Sequence, residues 1–254
     1  MAEQPEENLI QQLITKYLPY WPVFLLTMAV AIGLAYTYIH FTTPIYEANA
    51  TLIIKDEKKG NEDSKLTESL DQISSKKTVE NEVEVIQSRK LMYDVVKNLG
   101  LYAPIYEQGK FKALSAYTKS PVVIQAMNPD SLRGSKKIKL NFDKVNNHVI
   151  LNDRYKYPLN QVVTTPFGQL QFLPNKNYED PGQPIKQLFC YLINPKAVVP
   201  GILAGLKASA ASKLSSIVEL SYRDEVPKRA EDILNQLIAS YKQSEINEKD
   251  ALAK

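Results

Sequence analysis

The segment Trp21-Pro22-Val23-Phe24-Leu25-Leu26-Thr27-Met28-Ala29-Val30-Ala31-Ile32-Gly33-Leu34-Ala35-Tyr36-Thr37-Tyr38-Ile39-His40 is apolar on every face of a helix. How it is read decides the rest of the chain. Between Tyr17 and Tyr46 there is no Asp, Glu, Lys or Arg, and His40 is expected neutral. A helix from Trp21 to Phe41 is about 31 Å long, which matches a bilayer core. Val23, Phe24, Leu25, Leu26, Val30, Ile32 and Leu34 together favour insertion by about 3 kcal/mol, unopposed by charge. Aromatic side chains mark both ends: Tyr17, Tyr20 and Trp21 on one side, Tyr36, Tyr38 and Phe41 on the other. Such residues sit at the membrane–water boundary. Pro22 falls in the first turn, where a missing N–H costs nothing. The length argues against a buried core helix. Glu3, Glu6 and Glu7 in the leader, and the exit through Ile39-His40-Phe41, argue against a cleaved signal peptide. The expected element is an uncleaved membrane anchor over residues 17–42, contacting lipid.

Working outward, Leu9, Ile10, Leu13, Ile14, Tyr17 and Leu18 repeat at helical spacing. Residues 1–16 are thus expected as an amphipathic leader, lying on the membrane surface or packing as an ordinary helix. Lysine counting does not orient the span. Lys16 stands before it and Lys55, Lys58 and Lys59 after it, the latter offset by Asp56 and Glu57.

Beyond the anchor, Tyr46, Ala48, Ala50, Leu52 and Ile54 alternate and predict a half-buried strand. Asp56 to Ser64 reads as a charged loop, and Leu66, Leu70 and Ile73 as a short helix. Residues 79–88 continue as helix. Ser88 then caps a helix with the stripe Met92, Val95, Val96 and Leu99, closed by Gly100. The middle is rich in predicted strands: residues 121–127, 137–142, 148–151, 169–173, 186–193 and 215–222. Asn146-Asn147 and Asn152-Asp153 supply turns. Residues 195–206 read as a helix with an irregular start. After Asp224, a narrow stripe of Ala230, Ile233, Leu234, Leu237, Ile238 and Tyr241 marks a long helix that begins near Pro227. These are its expected interface residues. The stripe thins beyond Tyr241, and no glycine or proline ends the helix, so residues 227–254 are expected as the start of a longer element in a longer protein. The fold class is α+β: one transmembrane helix, a mixed α/β domain over residues 43–226, and a long C-terminal helix.

Composition narrows the chemistry. The chain has 254 residues, with 31 Lys+Arg against 28 Asp+Glu, a net charge of +3, and a 44% hydrophobic share. That balance excludes a polybasic nucleic-acid binder and an acidic tail. One cysteine, Cys190, forms no internal disulfide, and with His40 and His148 it makes no Cys/His zinc site. Cys190 reads as a small buried hydrophobe, His148 as a structural or exposed strand residue, and Glu80, Glu82 and Glu84 as a solvated helix face. No catalytic, cofactor or metal residues are assigned. The 15 tyrosines leave a sugar-binding role open without choosing among them.

Three stretches, in this order after the anchor, carry a resemblance: Pro44-Ile-Tyr-Glu-Ala-Asn-Ala-Thr-Leu-Ile-Ile54; Glu82-Val-Glu-Val-Ile-Gln-Ser-Arg89 leading to Val95-Val-Lys-Asn-Leu-Gly-Leu101; and Val218-Glu-Leu-Ser-Tyr-Arg-Asp-Glu-Val-Pro227-Lys-Arg-Ala230-Glu-Asp-Ile-Leu-Asn235-Gln-Leu-Ile-Ala-Ser-Tyr241. From about residue 17 to 254 the chain resembles the Wzz/polysaccharide co-polymerase family, or chain length determinant proteins. It is most similar to the tyrosine-kinase-type exopolysaccharide transport proteins of Bacteroidetes. The resemblance implies a bacterial inner-membrane protein with a periplasmic domain, assembled as a homo-oligomeric ring. It also implies work with the polysaccharide polymerase and export machinery, and contact with nascent polysaccharide, to govern polymer length. No nucleic acid or cofactor is implied. A second span with a proline-rich flank, the Gly-x-x-x-x-Gly-Lys-Ser/Thr nucleotide motif and a C-terminal tyrosine cluster do not occur in these residues. The chain is therefore expected to be the N-terminal, non-catalytic portion of such a protein. Two other readings stay open: the extracytoplasmic input domain of a sensor kinase, and the non-catalytic half of a tyrosine autokinase.

Overall fold

The computed structural model describes residues 16–54, 79–109, 112–180, 182, 186–212 and 216–252, and it divides into two compact units after Pro44. The stripe Leu9–Ile14, the charged loop from Asp56 and the short helix at Leu66–Ile73 lie outside the described residues.

In the first unit a 3-10 turn, Leu18–Tyr20, leads into α1 (Trp21–Phe41). Thr27 and Thr37 are the polar interruptions, and each hydroxyl is satisfied within the helix. Thr27 donates to the Phe24 carbonyl at 2.9 Å and Thr37 to the Gly33 carbonyl at 2.7 Å. α1 stops at Thr42, whose backbone is extended. Pro44 follows, and a proline disfavours helical backbone in the residue before it.

The second unit begins with β1 (Tyr46–Ile53), helical residues 79–86, α2 (Arg89–Asn98), β2 (Ile105–Gln108), β3 (Ala113–Ser115) and β4 (Val122–Ala126). It continues with β5 (Ile138–Asp143), β6 (His148–Leu151), β7 (Tyr155–Pro158), β8 (Val162–Thr165) and β9 (Gly168–Pro174). The last elements are β10 (Leu188–Cys190), α3 (Pro195–Gly205), β11 (Leu206–Ala210), β12 (Ile217–Asp224) and α4 (Pro227–Leu252). The strands form three antiparallel sheets, in the orders β1-β12-β11, β3-β2-β10-β5-β6-β7 and β4-β9-β8.

Local chemistry explains most boundaries. The Ser88 hydroxyl accepts the Leu91 N–H at 3.3 Å and starts α2. Gly100 ends it at φ +66°, a conformation that side chains with a Cβ resist, so the Leu101 N–H can turn back to the Val96 carbonyl. Asn194 starts α3 in the same way by accepting the Lys196 N–H at 3.0 Å, and Pro195 sits in its first turn, so the start is regular rather than irregular. Asn152 and Asp153 both take positive φ between β6 and β7, and Asn147 does so between β5 and β6. Asn and Asp tolerate that region because a short polar side chain bonds locally.

The register of β1 against β12 places Ala48, Ala50 and Leu52 beside Tyr222, Leu220 and Val218. This is the apolar face that α4 covers, and α4 also packs on α2. The buried stripe of α2 (Leu91, Met92, Val95, Val96) and the inner faces of the other two sheets join the same core. β2, β3, β7, β8 and β11 were not anticipated. They are three to five residues long, and most carry polar residues on one face. β10 is three residues rather than the eight expected.

Candidate functional site

Every described side chain of α1 is exposed within its own chain, among them Trp21, Phe24, Leu25, Leu26, Val30, Ile32, Leu34 and Tyr38. α1 with its preceding turn is long and apolar enough to cross a membrane. Exposing so many large apolar groups to water is unfavourable, at about 1.5–3 kcal/mol per Leu, Ile or Phe. The helix therefore calls for an apolar surrounding that the described residues do not supply.

The first turns of α4 form the second site. Ala230, Ile233, Leu234, Leu237 and Tyr241 are buried and Ile238 is half-buried. The structure adds a polar collar around the helix start that the sequence reading missed. Asp224 is buried, and its carboxylate accepts the Val226 N–H at 2.8 Å, Arg229 Nε at 2.8 Å and Arg229 Nη2 at 2.7 Å. Arg229 Nη1 reaches the Ser115 hydroxyl at 3.1 Å. One carboxylate thus neutralises the arginine and satisfies a backbone donor at the start of the helix. Burial, with the Asp224 charge added, pushes the Tyr222 phenol up to about 12. One turn on, Asp232 accepts the Tyr117 hydroxyl at 2.8 Å and Asn177 Nδ2 at 2.7 Å, and pairs with Lys228 at 3.0 Å. The tail of the stripe is fixed the same way: the Tyr241 hydroxyl donates to Glu82 at 2.8 Å. Glu82 is therefore half-buried and engaged, whereas Glu80 and Glu84 are exposed. The acid at position 224, five residues before an arginine at a helix start, was a legible signal for the collar. Nothing local marked Glu82, because its partner lies 159 residues away.

Beside the collar lies a groove of about 510 Å³, lined by Tyr102, Tyr106, Tyr117, Asn175, Ile202 and Arg229 among others. The polar groups of Tyr102, Tyr117 and Asn175 are turned into the protein. Tyr117 bonds Asp232, Asn175 Nδ2 bonds the Tyr117 and Ser120 carbonyls, and the Tyr102 hydroxyl accepts the Ala126 N–H.

The residues weighed for catalysis stay apart. Cys190 is buried in β10, and burial pushes its thiol up to about 12, so it is no nucleophile near neutral pH. His148 is half-buried at the start of β6, its Nδ1 against the Asn146 carbonyl. Among the described residues, no three His, Cys, Asp or Glu converge in a way that could hold a metal ion.

Residues 9–99 match the family model of the chain length determinant proteins, Wzz. The match spans α1, β1 and α2 and ends where Gly100 turns the chain. That family is membrane-associated and non-enzymatic, and its members work in polysaccharide polymerisation complexes. No curated protein matches the chain.

Proposed function

We propose that this chain is a polysaccharide co-polymerase of a bacterial inner membrane, a scaffold that controls how far a capsular, exo- or O-antigen polysaccharide grows. The observation that carries the reading is the family match over residues 9–99, which runs through the membrane-compatible helix into the first strand and helix of the α/β domain. Residues 1–16 are then a cytoplasmic leader and 17–42 the span. Residues 43–226 form a periplasmic domain, and α4 is a helix reaching outward from its buried first turns. Identical chains assemble into a ring that holds polymerase, export machinery and nascent polymer in fixed relation. The domain works by geometry and carries no catalytic step.

The test is a deletion strain complemented with the full gene or with an empty vector. Polysaccharide length is resolved on gels and the detergent-extracted protein weighed by light scattering. The expected result is a changed length distribution without the gene, its restoration with it, and a multimeric mass. Unchanged polymer length on deletion, or a monomeric protein, overturns the reading.

A further inference from the structure

We infer that the outer face of the six-stranded sheet is a binding shelf for an acidic glycan segment, with Tyr106 and Tyr191, packed on the buried Phe189, as its aromatic floor and Lys137 and Lys139 as its cations. The inference rests on the reading above that the chain handles polysaccharide, and it names the surface that touches the polymer and the polymer's charge.

Strand register builds the shelf. Phe189 stands opposite Tyr106 on one side and Lys139 on the other. Side chains alternate along a strand, so the neighbouring rows of Ile105, Cys190 and Ile138, and of Glu107, Leu188 and Leu140, turn to the core while this row turns out. Tyr191 and Gln187, two residues either side of Phe189, extend the row. Tyr106 stacks on Phe189 with ring centres 5.7 Å apart, and Tyr191 meets both rings edge-on at 6.1 and 5.8 Å. Lys137 Nζ lies 3.8 Å above the centre of the Phe189 ring. Phe189 is 3% exposed although it sits on the outer face, because these neighbours cover it; the two tyrosines are half-buried and supply the accessible aromatic surface.

The side chains next to the rings have the chemistry of sugar recognition. A pyranose offers a C–H face that packs on aromatic rings and a girdle of hydroxyls that needs both donors and acceptors. Asn141 Nδ2 donates to Asp153 at 2.8 Å, Gln187 Nε2 donates to Asn141 Oδ1 at 2.9 Å, and Lys139 pairs with Asp153 at 3.1 Å. This is a connected row of planar amides and charges beside the aromatic strip, with spare lone pairs and N–H groups.

Charge selects an acidic glycan. Lys137 and Lys139 flank the rings, and register brings Lys156 of β7 to the same face through Ile150 and Asn141. Of the acids near this face, Asp143 is folded into its own turn, accepting the Val145 and Asn146 N–H groups and Asn146 Nδ2, and Glu225 and the Arg229-paired Asp224 lie near Tyr106 at the far end from Lys156. Asp153 is held by Lys139 and Asn141, while Lys137 and Lys156 have no carboxylate within ion-pair distance among the described residues, and the field of these two ammonium groups attracts carboxylates. The path also suits a chain rather than a single sugar. Tyr106 belongs both to the shelf and to the groove beside α4, where Ser115 and Arg229 continue the lining.

The test is calorimetric titration of the full chain in nanodiscs with a galacturonate hexamer and with maltohexaose, at low and at physiological salt. The galacturonate hexamer is expected to bind at least tenfold more tightly than maltohexaose, and more weakly as salt rises. Lys137→Gln with Lys139→Gln should weaken it about tenfold, from two exposed charge contacts. Tyr191→Ala should weaken both sugars, with the unfolding midpoint within a few degrees of the parent. Equal binding of the two hexamers, no binding, or variants that bind like the parent overturn the inference. So does a changed oligomer mass in the variants with unchanged sugar binding, which would make the face a protein–protein contact. If gene deletion alters polymer length while these titrations fail, the shelf is wrong and the co-polymerase reading stands. If deletion leaves length unchanged, that reading itself is wrong.

Discussion

α1 and α4 are the two long helices of this protein, 21 and 26 residues, and they satisfy opposite conditions. α1 has no charged residue, and among the described residues none covers its side chains. α4 has a charged face and a stripe sunk in the core as far as Tyr241. An apolar residue in α4 is stabilised by Leu52, Leu220 and their neighbours, whereas one in α1 depends on a solvent outside the polypeptide. The same substitution should therefore act on different equilibria in the two helices, on folding in α4 and on membrane insertion in α1.

The largest effect comes from placing a carboxylate in each. Leu237→Asp buries a charge in the core and should cost more than about 4 kcal/mol, enough to remove cooperative unfolding as followed by near-UV circular dichroism. Leu26→Asp should leave that transition in place. Instead it weakens insertion by about 3 kcal/mol and raises the fraction of chain released from membranes by carbonate. A Leu26→Asp chain that lost its folded domain would break the comparison.

Next in size is the collar. Arg229→Met leaves Asp224 buried without its counter-charge, and should cost about 3–5 kcal/mol in denaturant unfolding. Adding Asp224→Asn should recover part of the loss, since the amide still accepts the Val226 N–H without carrying a charge. No substitution in α1 should have a matching effect, because α1 holds no ion pair.

These contrasts separate what could be read from the chain from what could not. The apolar helix α1, the α4 stripe, the Ser88 cap and the Asn152-Asp153 turn were legible, because each is a local pattern whose physics is complete within a few residues. β11 was not: Lys207, Ala208 and Ser209 show little strand character, and β11 exists because β12 offers a paired edge. The engaged role of Glu82 and the row of Tyr106, Phe189 and Lys139 escaped for a related reason. They depend on which distant segment a helix or strand lies beside, and composition does not encode that register in any one window.

A smaller effect sharpens the comparison at the point where α4 leaves the core. Tyr241→Phe removes the hydroxyl that donates to Glu82 while keeping the ring in place, and should cost about 1.5 kcal/mol. Burial and the Glu82 carboxylate both raise the Tyr241 pKa, so the phenol stays protonated, and able to donate, up to pH 9. The Tyr241→Phe loss should therefore be constant from pH 6 to 9; a loss that vanished by pH 9 would mean the bond is not made.

The smallest effect is the most discriminating for the distal turns of α4. Ile246 lies beyond Tyr241 and is 52% exposed, so Ile246→Ala should change domain stability by less than about 0.5 kcal/mol in the isolated chain. Leu237→Ala, nine residues earlier on the same helix, should cost about 2–5 kcal/mol. That ratio holds only while nothing covers the distal turns. In a ring of identical chains, Ile246 would gain a surrounding that the described residues of one chain do not provide, as α1 would gain one from lipid. Ile246→Ala should then become more costly as protein concentration rises. A cost that stayed small at every concentration would leave the distal half of α4 a solvated rod, with Ile246, Ala251 and Leu252 set among charged and polar residues.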